Sequence, residues 1–207
     1  MKKNKKKFSN TELNQVAAGL SRYFSHKWDF IEGKNTEGRR GRKNKDREWS
    51  TNREFKLDDV TLLKRFVSTK YLVGLRFKTA HRLTNYLMLD IDITSRYHPD
   101  KDPNGIDKIT AAIEAMGMAM AVYVKSSDSG GLHLFLALSR HMPVFTAACW
   151  LEISMRTAGL EIRDGQLELF PNTKKYKEGK QWSLYNAHNL PLQPESGSLL
   201  LDDELEV

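Results

Sequence analysis

Two aspartates lie two residues apart in a strand-like segment, Tyr86-Leu-Met-Leu-Asp-Ile-Asp-Ile93. Because side chains at positions i and i+2 of a strand point to the same face, the carboxylates of Asp90 and Asp92 are predicted to project together. Carboxylates are costly in an apolar strand unless their charge is compensated, and divalent cations such as Mg²⁺ prefer oxygen ligands. The pair indicates a metal site; the alternative is a surface strand that happens to carry two acids.

A glycine-containing segment, Lys125-Ser-Ser-Asp-Ser-Gly-Gly-Leu-His133, follows further along the chain. Gly130 and Gly131 allow the backbone to approach a ligand closely and to turn its N–H groups outward. Ser129 and His133 can donate hydrogen bonds to phosphate oxygens, and Lys125 can add positive charge. The segment predicts a phosphate-binding turn between two strands; the alternative is a plain hairpin turn followed by a core histidine.

A third acid, Glu168, lies at the centre of Gln166-Leu-Glu-Leu-Phe-Pro171 and meets the same difficulty of placement as the aspartates. Together with the aspartates it could complete a two-metal site, in which ions about 3.5–4 Å apart act on both oxygens of an in-line displacement. Asp164 is the competing third ligand, although the Asp164-Gly165 dipeptide is typical of a tight turn.

Positive charge is concentrated near the amino terminus. The chain has a net charge of +7, with 33 basic and 26 acidic residues, and the first 50 residues hold 14 and 6 of these. This asymmetry predicts a nucleic-acid contact on a near-neutral body, although a basic tail can also be merely solvated. The predicted nucleic-acid contacts are Arg39, Arg40, Arg42 and Lys43 in a Gly/basic loop, together with Arg76 and Arg82 just before the aspartate strand. Lys174 could touch triphosphate or template, or could belong to a solvated charge pair.

The periodicity predicts an α+β fold. Helices are expected over about 10–25, where Ser9 and Glu12 have capping-box spacing, from Asp58, over 105–117 and from Pro143 to about 158. Strands are expected over 71–77, 86–93, 119–126 and 131–138, with a hairpin at 160–170. On the fourth helix, Phe145, Cys149, Ile153 and Trp150 are the expected inward residues. The order favours an RRM-like (ferredoxin-like) antiparallel or mixed sheet with helices packed on it, plus a basic helical N-terminal region.

We expect three parts: a basic tail, helix and Gly/Arg-rich loop at 1–65, a core at 66–195, and an acidic tail at 196–207. The end of the chain, from Leu190, is expected to be loosely held. No run of roughly 18 apolar residues exists, so no membrane span or membrane partner is expected. The single cysteine, Cys149, excludes an intramolecular disulfide and a cysteine-based zinc module, and fits a reducing cytoplasm. The Asp100–Gly105 segment imitates a calcium loop, but its twelfth position is Ala111, so calcium binding is rejected.

The ordered set Leu89-Asp-Ile-Asp92, Ser129-Gly-Gly-Leu-His133 and Leu167-Glu-Leu-Phe-Pro171 resembles the three motifs of the archaeo-eukaryotic primase superfamily. It is most similar to the primase-polymerase branch of bacteria and mobile elements such as plasmids. Tyr185-Asn-Ala-His-Asn-Leu-Pro191 looks like the closing segment of that branch. The resemblance covers about residues 70–200, and residues 1–65 match no family that we can name.

The resemblance implies that Asp90, Asp92 and Glu168 hold two Mg²⁺ or Mn²⁺ ions, and that Ser129 and His133 hold the triphosphate of an incoming nucleotide. The implied activity is template-dependent nucleotidyl transfer in DNA replication, with single-stranded DNA and nucleoside triphosphates as partners and a separate helicase as a further one. The alternatives are a metal-dependent nuclease and a non-catalytic DNA-binding replication accessory protein. The sequence leaves open whether the product is RNA or DNA, and whether the protein starts chains or only extends them.

Overall fold

The computed structural model describes residues 9–34, 49–77, 83–118, 120–173, 177–178, 181–182 and 184–207. It has an α+β architecture with four helices and two main antiparallel sheets in the described part of the chain. Six of the predicted ligand contacts lie outside the described residues: Arg39, Arg40, Arg42, Lys43, Arg82 and Lys174.

The helices are α1 Asn10–Tyr23, α2 Asp59–Phe66, α3 Gly105–Ala115 and α4 Val144–Thr157. The strands are β1 Ile31–Lys34, β2 Trp49–Thr51, β3 Tyr71–Arg76, β4 Leu83–Ile91, β5 Val122–Lys125, β6 Leu132–Pro143, β7 Leu167–Phe170, β8 Lys177–Glu178, β9 Gln181–Trp182, β10 Ala187–Asn189 and β11 Leu199–Leu200.

Side-chain caps define where the first two helices begin. Ser9 Oγ accepts a hydrogen bond from the Glu12 N–H at 3.2 Å, and Glu12 Oε2 accepts one from the Ser9 N–H at 2.7 Å. This reciprocal pair confirms the predicted capping box. At α2, Asp58 Oδ1 accepts from the Thr61 N–H at 2.6 Å, so a carboxylate satisfies one of the unpaired donors of the first turn.

The larger sheet has the strand order β11-β5-β6-β4-β7, and each neighbouring pair is antiparallel. One of its faces packs against α3 and α4, because alternate residues of the central strands are large and apolar. The buried residues on this face are Leu87, Leu89, Ile91, Leu132, Leu134, Leu136, Leu167 and Leu169. Burial of each such side chain contributes about 1.5–3 kcal/mol, so these three strands are firmly fixed in register.

The inward face of α4 differs from the prediction. Phe145 and Ile153 are 57% and 65% exposed, whereas Cys149 and Trp150 are partly buried and Trp150 packs against the core beneath the helices as predicted. The fully buried residues of α4 are Val144, Ala147, Ala148, Leu151 and Met155. Both stripes have helical spacing, so periodicity alone does not choose between them. Ala147 and Ala148 belong to the buried stripe, and their small side chains let the helix approach the sheet closely.

The first arm of the hairpin expected at 160–170 is also reduced. It survives only as a single bridge between Arg163 and Leu167, while the second arm forms β7.

The second face of the larger sheet is covered by an aromatic cluster that also belongs to the smaller sheet, whose order is β10-β3-β1-β2. Tyr86 and Phe135 of the larger sheet contact Phe77 and Phe24, which lie just after β3 and after α1. The smaller sheet pairs β1 with β3 and β3 with β10, so it draws strands from both ends of the chain. Residues before position 66 therefore share a sheet with residues after it.

His188 lies between the two sheets, 3% exposed, with its ring against Phe77, Phe135 and Phe170. Its Nδ1 is 3.1 Å from the Asn189 carbonyl oxygen and its Nε2 is 2.8 Å from the Tyr86 hydroxyl. A carbonyl only accepts, so the neutral ring carries its proton on Nδ1 and accepts from Tyr86 at Nε2. Burial lowers the pKa of His188 to about 3, because the imidazolium would be desolvated there.

The carboxyl-terminal segment ties the two sheets together, and the prediction of a loosely held end is wrong as far as Leu200. β10 pairs with β3 in the smaller sheet, and β11 pairs with β5 in the larger one. Between them, Leu190 and Gln193 are 1% and 3% exposed. No helix within the described residues is both long enough and apolar enough to cross a bilayer.

The buried neutral His188 predicts a specific loss of stability in acid. Between its unfolded pKa near 6.5 and its folded pKa near 3, the unfolded state binds one more proton. Lowering the pH from 6.5 to 5 should therefore remove about 2 kcal/mol from the free energy of unfolding through this group alone. Denaturant unfolding of wild type and His188→Gln across this range measures it, and the variant should show a shallower pH dependence. His141→Gln, at an exposed position, is the control, and equal slopes in all three proteins would contradict the prediction.

Candidate active site

Three polar side chains form one row across the larger sheet. Asp90 of β4 is the register partner of His133 on β6 and of Glu168 on β7. Directly opposed residues in antiparallel strands project to the same face, with Cβ atoms about 4.5–5.5 Å apart. The row therefore brings together residues from three separate parts of the chain.

The apolar neighbours in each strand determine which face the row occupies. Leu89 and Ile91 flank Asp90 and are fully buried on the helix-covered face. Leu132 and Leu134 flank His133 in the same way, and Leu167 and Leu169 flank Glu168. Since alternate residues of a strand point to opposite faces, the acid or imidazole of each strand must lie on the other face.

Asp92 follows the last residue of β4 and is held in the turn that leaves the strand. Its Oδ1 accepts hydrogen bonds from the Thr94 N–H at 2.9 Å and from the Thr94 hydroxyl at 2.7 Å. These bonds orient the carboxylate beside the row of Asp90, His133 and Glu168.

The neighbouring carboxylates are close enough to act electrostatically on Glu168. Burial raises the pKa of Glu168, and the negative charges of Asp90, Asp164 and Asp92 raise it further. A weak hydrogen bond from the Gly165 N–H to Glu168 Oε1, at 3.4 Å, acts in the opposite direction. Glu168 lies directly opposite Asp90, whereas Asp164 is exposed in the adjoining turn.

His133 is the most buried member of the row, with 7% of its side chain exposed against 34% for Asp90. Its Nε2 lies 3.6 Å from Asp90 Oδ1, a distance suited to charge attraction but too long for a good hydrogen bond. Its Nδ1 is buried and has no hydrogen-bond partner among the described residues. A buried imidazole nitrogen of this kind costs free energy unless a group not seen here satisfies it.

The glycine turn, residues 126–131, joins β5 to β6 beside this row. The Ser126 N–H donates to the Gly131 carbonyl at 2.7 Å, and the Gly130 N–H donates to the Ser127 carbonyl at 3.1 Å. Gly130 has φ +89°, in the left-handed region that favours glycine. The Ser127 and Ser129 hydroxyls lie 2.8 Å apart, with Ser129 exposed.

Two predicted ligand contacts do not join the row. Lys125 is the register partner of Leu132, so its side chain leaves the sheet on the helix-covered face, opposite His133. The guanidinium of Arg76 is half-buried and donates to the Tyr185 carbonyl and, at 3.4 Å, to the Thr51 hydroxyl. These hydrogen bonds give Arg76 a structural role, in which it holds the segment just before β10, instead of an exposed role in ligand binding.

The chemistry of the three carboxylates suits a hard cation better than their present spacing does. No three histidine, cysteine, aspartate or glutamate side chains in the described ranges already stand at metal-ligand spacing. Asp90, Asp92 and Glu168 nevertheless supply the oxygen donors that Mg²⁺ and Mn²⁺ prefer, and like charge already raises the pKa of Glu168. Cation binding would require their oxygens to move closer together.

His98 is a part of the site that sequence reasoning did not single out. Its Nδ1 accepts from the Asp100 N–H at 3.2 Å, so its Nε2 donates to the Gly130 carbonyl at 3.0 Å. The ring is 5% exposed and fixes the glycine turn to the loop after β4. Its sequence context, before Pro99, resembles an ordinary turn and gave no signal of this contact.

Comparison with known proteins does not assign the chain to a family. No family model matches it, and a search of curated proteins finds no match.

Removing the charge of Glu168 should stabilise the protein at neutral pH. Its raised pKa means that the folded state disfavours the carboxylate, so Glu168→Gln relieves burial and repulsion. We expect a gain of up to about 1 kcal/mol in unfolding free energy at pH 7, with allowance for solvent screening. The gain should fade toward pH 4, where the carboxyl is protonated in both states.

Denaturant unfolding at both pH values measures this effect. Glu114→Gln, at an exposed position on α3, is the matched control. Equal or lower stability of Glu168→Gln at pH 7 would show that the carboxylate is already compensated in the fold.

Proposed function

We propose that this protein is a primase-polymerase: a nucleotidyltransferase that joins nucleoside triphosphates to a 3′-hydroxyl on a single-stranded DNA template. One observation carries the proposal. Asp90 faces Glu168 on one side and His133 on the other, in a single row of the sheet, with Asp92 at the end of the same strand. The three motifs that resemble the primase superfamily thus contribute neighbouring side chains, although they are far apart in the sequence.

The strand order supports the same proposal. Within the larger sheet, β4, β5, β6 and β7 have the spatial order β7-β4-β6-β5, with α3 after β4 and α4 after β6. A β-α-β-β-α-β chain arranged in this way has the connectivity of a ferredoxin-like or RRM-like sheet. In this proposal the two helices cover one face, and catalysis uses the part of the other face that lies beyond the aromatic cluster, at the end of β4 where the row lies.

The residues of the row would divide the work between metal and nucleotide. Asp90, Asp92 and Glu168 would hold two Mg²⁺ or Mn²⁺ ions, which when bound supply charge neutralisation and lower the pKa of the attacking hydroxyl. The exposed Ser129 hydroxyl of the glycine turn would receive the triphosphate, since phosphoryl transfer depends mainly on positioning and charge. His133 would orient Asp90 and present one ring edge toward the triphosphate.

In this proposal the basic amino-terminal quarter of the chain contacts the template. It would bind the phosphates of the DNA backbone without recognising the base sequence. A cytoplasmic location, suited to the single free cysteine and to replication partners such as a helicase, completes it. An exonuclease with the same acids would shorten a primer, and a non-catalytic accessory protein would leave it unchanged, so one primer assay distinguishes all three.

Loss of one row carboxylate should abolish nucleotide incorporation. Asp90→Asn removes one of the three carboxylates that would hold the metals, and a deficit of several kcal/mol in transition-state stabilisation corresponds to at least about a thousandfold in rate. The measurement is extension of a primed and an unprimed template with Mn²⁺, using ribonucleotides and deoxyribonucleotides separately. Wild type should also gain thermal stability with added Mn²⁺, whereas the variant should not.

Asp107→Asn, an exposed acid on α3, is the control for both measurements. Undiminished incorporation by Asp90→Asn would remove the carboxylate row from the mechanism.

Replacing His133 should separate nucleotide binding from stability. His133→Leu removes a buried nitrogen that lacks a partner among the described residues, so the variant should be at least as stable as wild type. If the ring serves the nucleotide, the apparent KM for nucleotide should rise about tenfold or more. Steady-state incorporation with varied nucleotide, beside thermal unfolding, makes the comparison.

His141→Leu, at an exposed position of the same strand, controls for loss of an imidazole. An unchanged KM in His133→Leu would identify His133 as a core residue only.

A further inference from the structure

The glycine turn is fixed from the side of the catalytic strand. A Cβ added at Gly131 would lie 3.1 Å from the Ile91 carbonyl oxygen, and one at Gly130 would lie 3.2 Å from the Ile93 side chain. These close approaches place the backbone of the turn directly against the end of β4, where Asp90 and Asp92 lie. The hydrogen bond from His98 to the Gly130 carbonyl adds a second fixed point on the turn.

A second segment of the chain contacts the same turn from another side. We call residues 190–200 the C-terminal strap. The Asp128 N–H donates to the Ser196 carbonyl at 3.3 Å. A Cβ added at Gly197 would fall 2.4 Å from the Asp128 backbone nitrogen and 2.1 Å from its Oδ1. Because one of these atoms is backbone, the turn itself would have to move to accommodate any larger residue at position 197.

The strap is anchored firmly at its other end. The Gln193 side chain accepts from the Val73 N–H at 2.7 Å and donates to the Val73 and Leu190 carbonyls, each at 2.8 Å. The side-chain amide of Gln193 therefore pairs with the backbone of β3 as a residue of a neighbouring strand would. At the far end, β11 pairs with β5, the strand that leads into the glycine turn.

The internal geometry of the strap is also tightly specified. Leu192, Glu195 and Gly197 have φ values of 59°, 61° and 73°, in the left-handed region. For the two non-glycine residues such values persist only where the surroundings hold them. Ser196 and Ser198 provide part of that support: the Ser196 hydroxyl donates to the Gln193 carbonyl at 2.6 Å and accepts from the Ser198 N–H at 3.0 Å.

We propose that the C-terminal strap holds the glycine turn in its nucleotide-binding form, with Gly197 as the positioning residue at the contact. The inference rests on the proposed function, in which the turn receives the triphosphate. A strap fixed to the smaller sheet and to β5 sets how far the turn can move away from Asp90 and Asp92. The strap would thereby determine the affinity for nucleotide, while the carboxylate row determines the rate of chemistry.

The test compares two glycine-to-alanine substitutions. Both place alanine at a positive φ, but the added Cβ meets other atoms at only one of the two positions. Gly197→Ala should displace the turn, whereas Gly159→Ala, with φ +78° and no atom within 4 Å of the added Cβ, carries only the backbone cost. Ser196→Ala loosens the strap without a steric clash, and it keeps the test valid if Gly197→Ala does not fold. Binding of Mg²⁺ with ATP and with dATP is measured by calorimetry, and incorporation is measured separately.

We expect Gly197→Ala to weaken nucleotide binding about tenfold and to raise the apparent KM equally, with kcat within about twofold of wild type. Ser196→Ala should do the same to a smaller extent, and Gly159→Ala should match wild type. Amide hydrogen exchange over 126–131 should speed up in the first two variants only.

The outcomes separate the strap from the proposed function. If wild type incorporates nucleotide and both strap variants bind it normally, the strap inference is overturned and the proposed function stands. If wild type binds nucleotide without incorporating it, the proposed function fails, and the binding constants of the variants still decide the role of the strap. If wild type binds no nucleotide, both are overturned.

Discussion

The register of β4 between β6 and β7 is the constraint on which the rest of this structure depends. The helices α3 and α4 bury one face of the larger sheet, so a one-residue slip would drive Asp90 into the leucine-rich core beneath them and move Leu89 or Ile91 to the partly exposed face. Desolvating a carboxylate in that core would cost several kcal/mol, which the fold avoids only by keeping the register. The apolar residues thus fix the acids, although they take no part in any chemistry at the row.

The second sheet limits how much of that face is open. Tyr86, Phe135 and Phe170 lie on the same face as Asp90, but the smaller sheet and the ring of His188 cover them. The row lies beyond this aromatic cluster, so Asp90 is partly exposed while His133, nearer the cluster, is almost fully buried. The same face of β4 therefore changes from a buried interface to a partly solvent-exposed site within a few residues. The strap crosses from one sheet to the other near this change.

Local features of the fold could be predicted from the sequence, while contacts between distant segments could not. The capping box at Ser9 follows from side chains within one turn, and the Pro/Gly turn before Gly105 predicts where α3 begins. Gln193 contacts Val73 across 120 residues, and nothing in its Pro/Gly/Ser-bearing surroundings signals that its amide would complete a strand edge. The candidate row is an intermediate case: alternation predicts that Asp90 and Asp92 share a face, while the apolar context of Glu168 and the resemblance of three ordered motifs suggested that Glu168 would lie beside them. The same resemblance could not show that Lys125 leaves the sheet on the opposite face, since that depends on its pairing with Leu132.

The electrostatics of the row point away from a purely structural role. A fold that used Glu168 for stability would pair it with a cation, as Lys108 pairs with Asp102 at 2.5 Å and Arg65 with Glu32 at 2.9 Å. Glu168 instead has its pKa raised by burial and, after that, by neighbouring carboxylates, and the basic side chain nearest Asp90 in the described ion pairs is the imidazole of His133 at 3.6 Å. Local rules of burial and charge are broken here together, within three adjacent strands, and such breaches are expected where a protein gives up stability for function. In the proposed function, a bound cation would reverse the sign of the interaction at Asp90, Asp92 and Glu168, and it would supply the compensating charge that no described ion pair gives to Glu168.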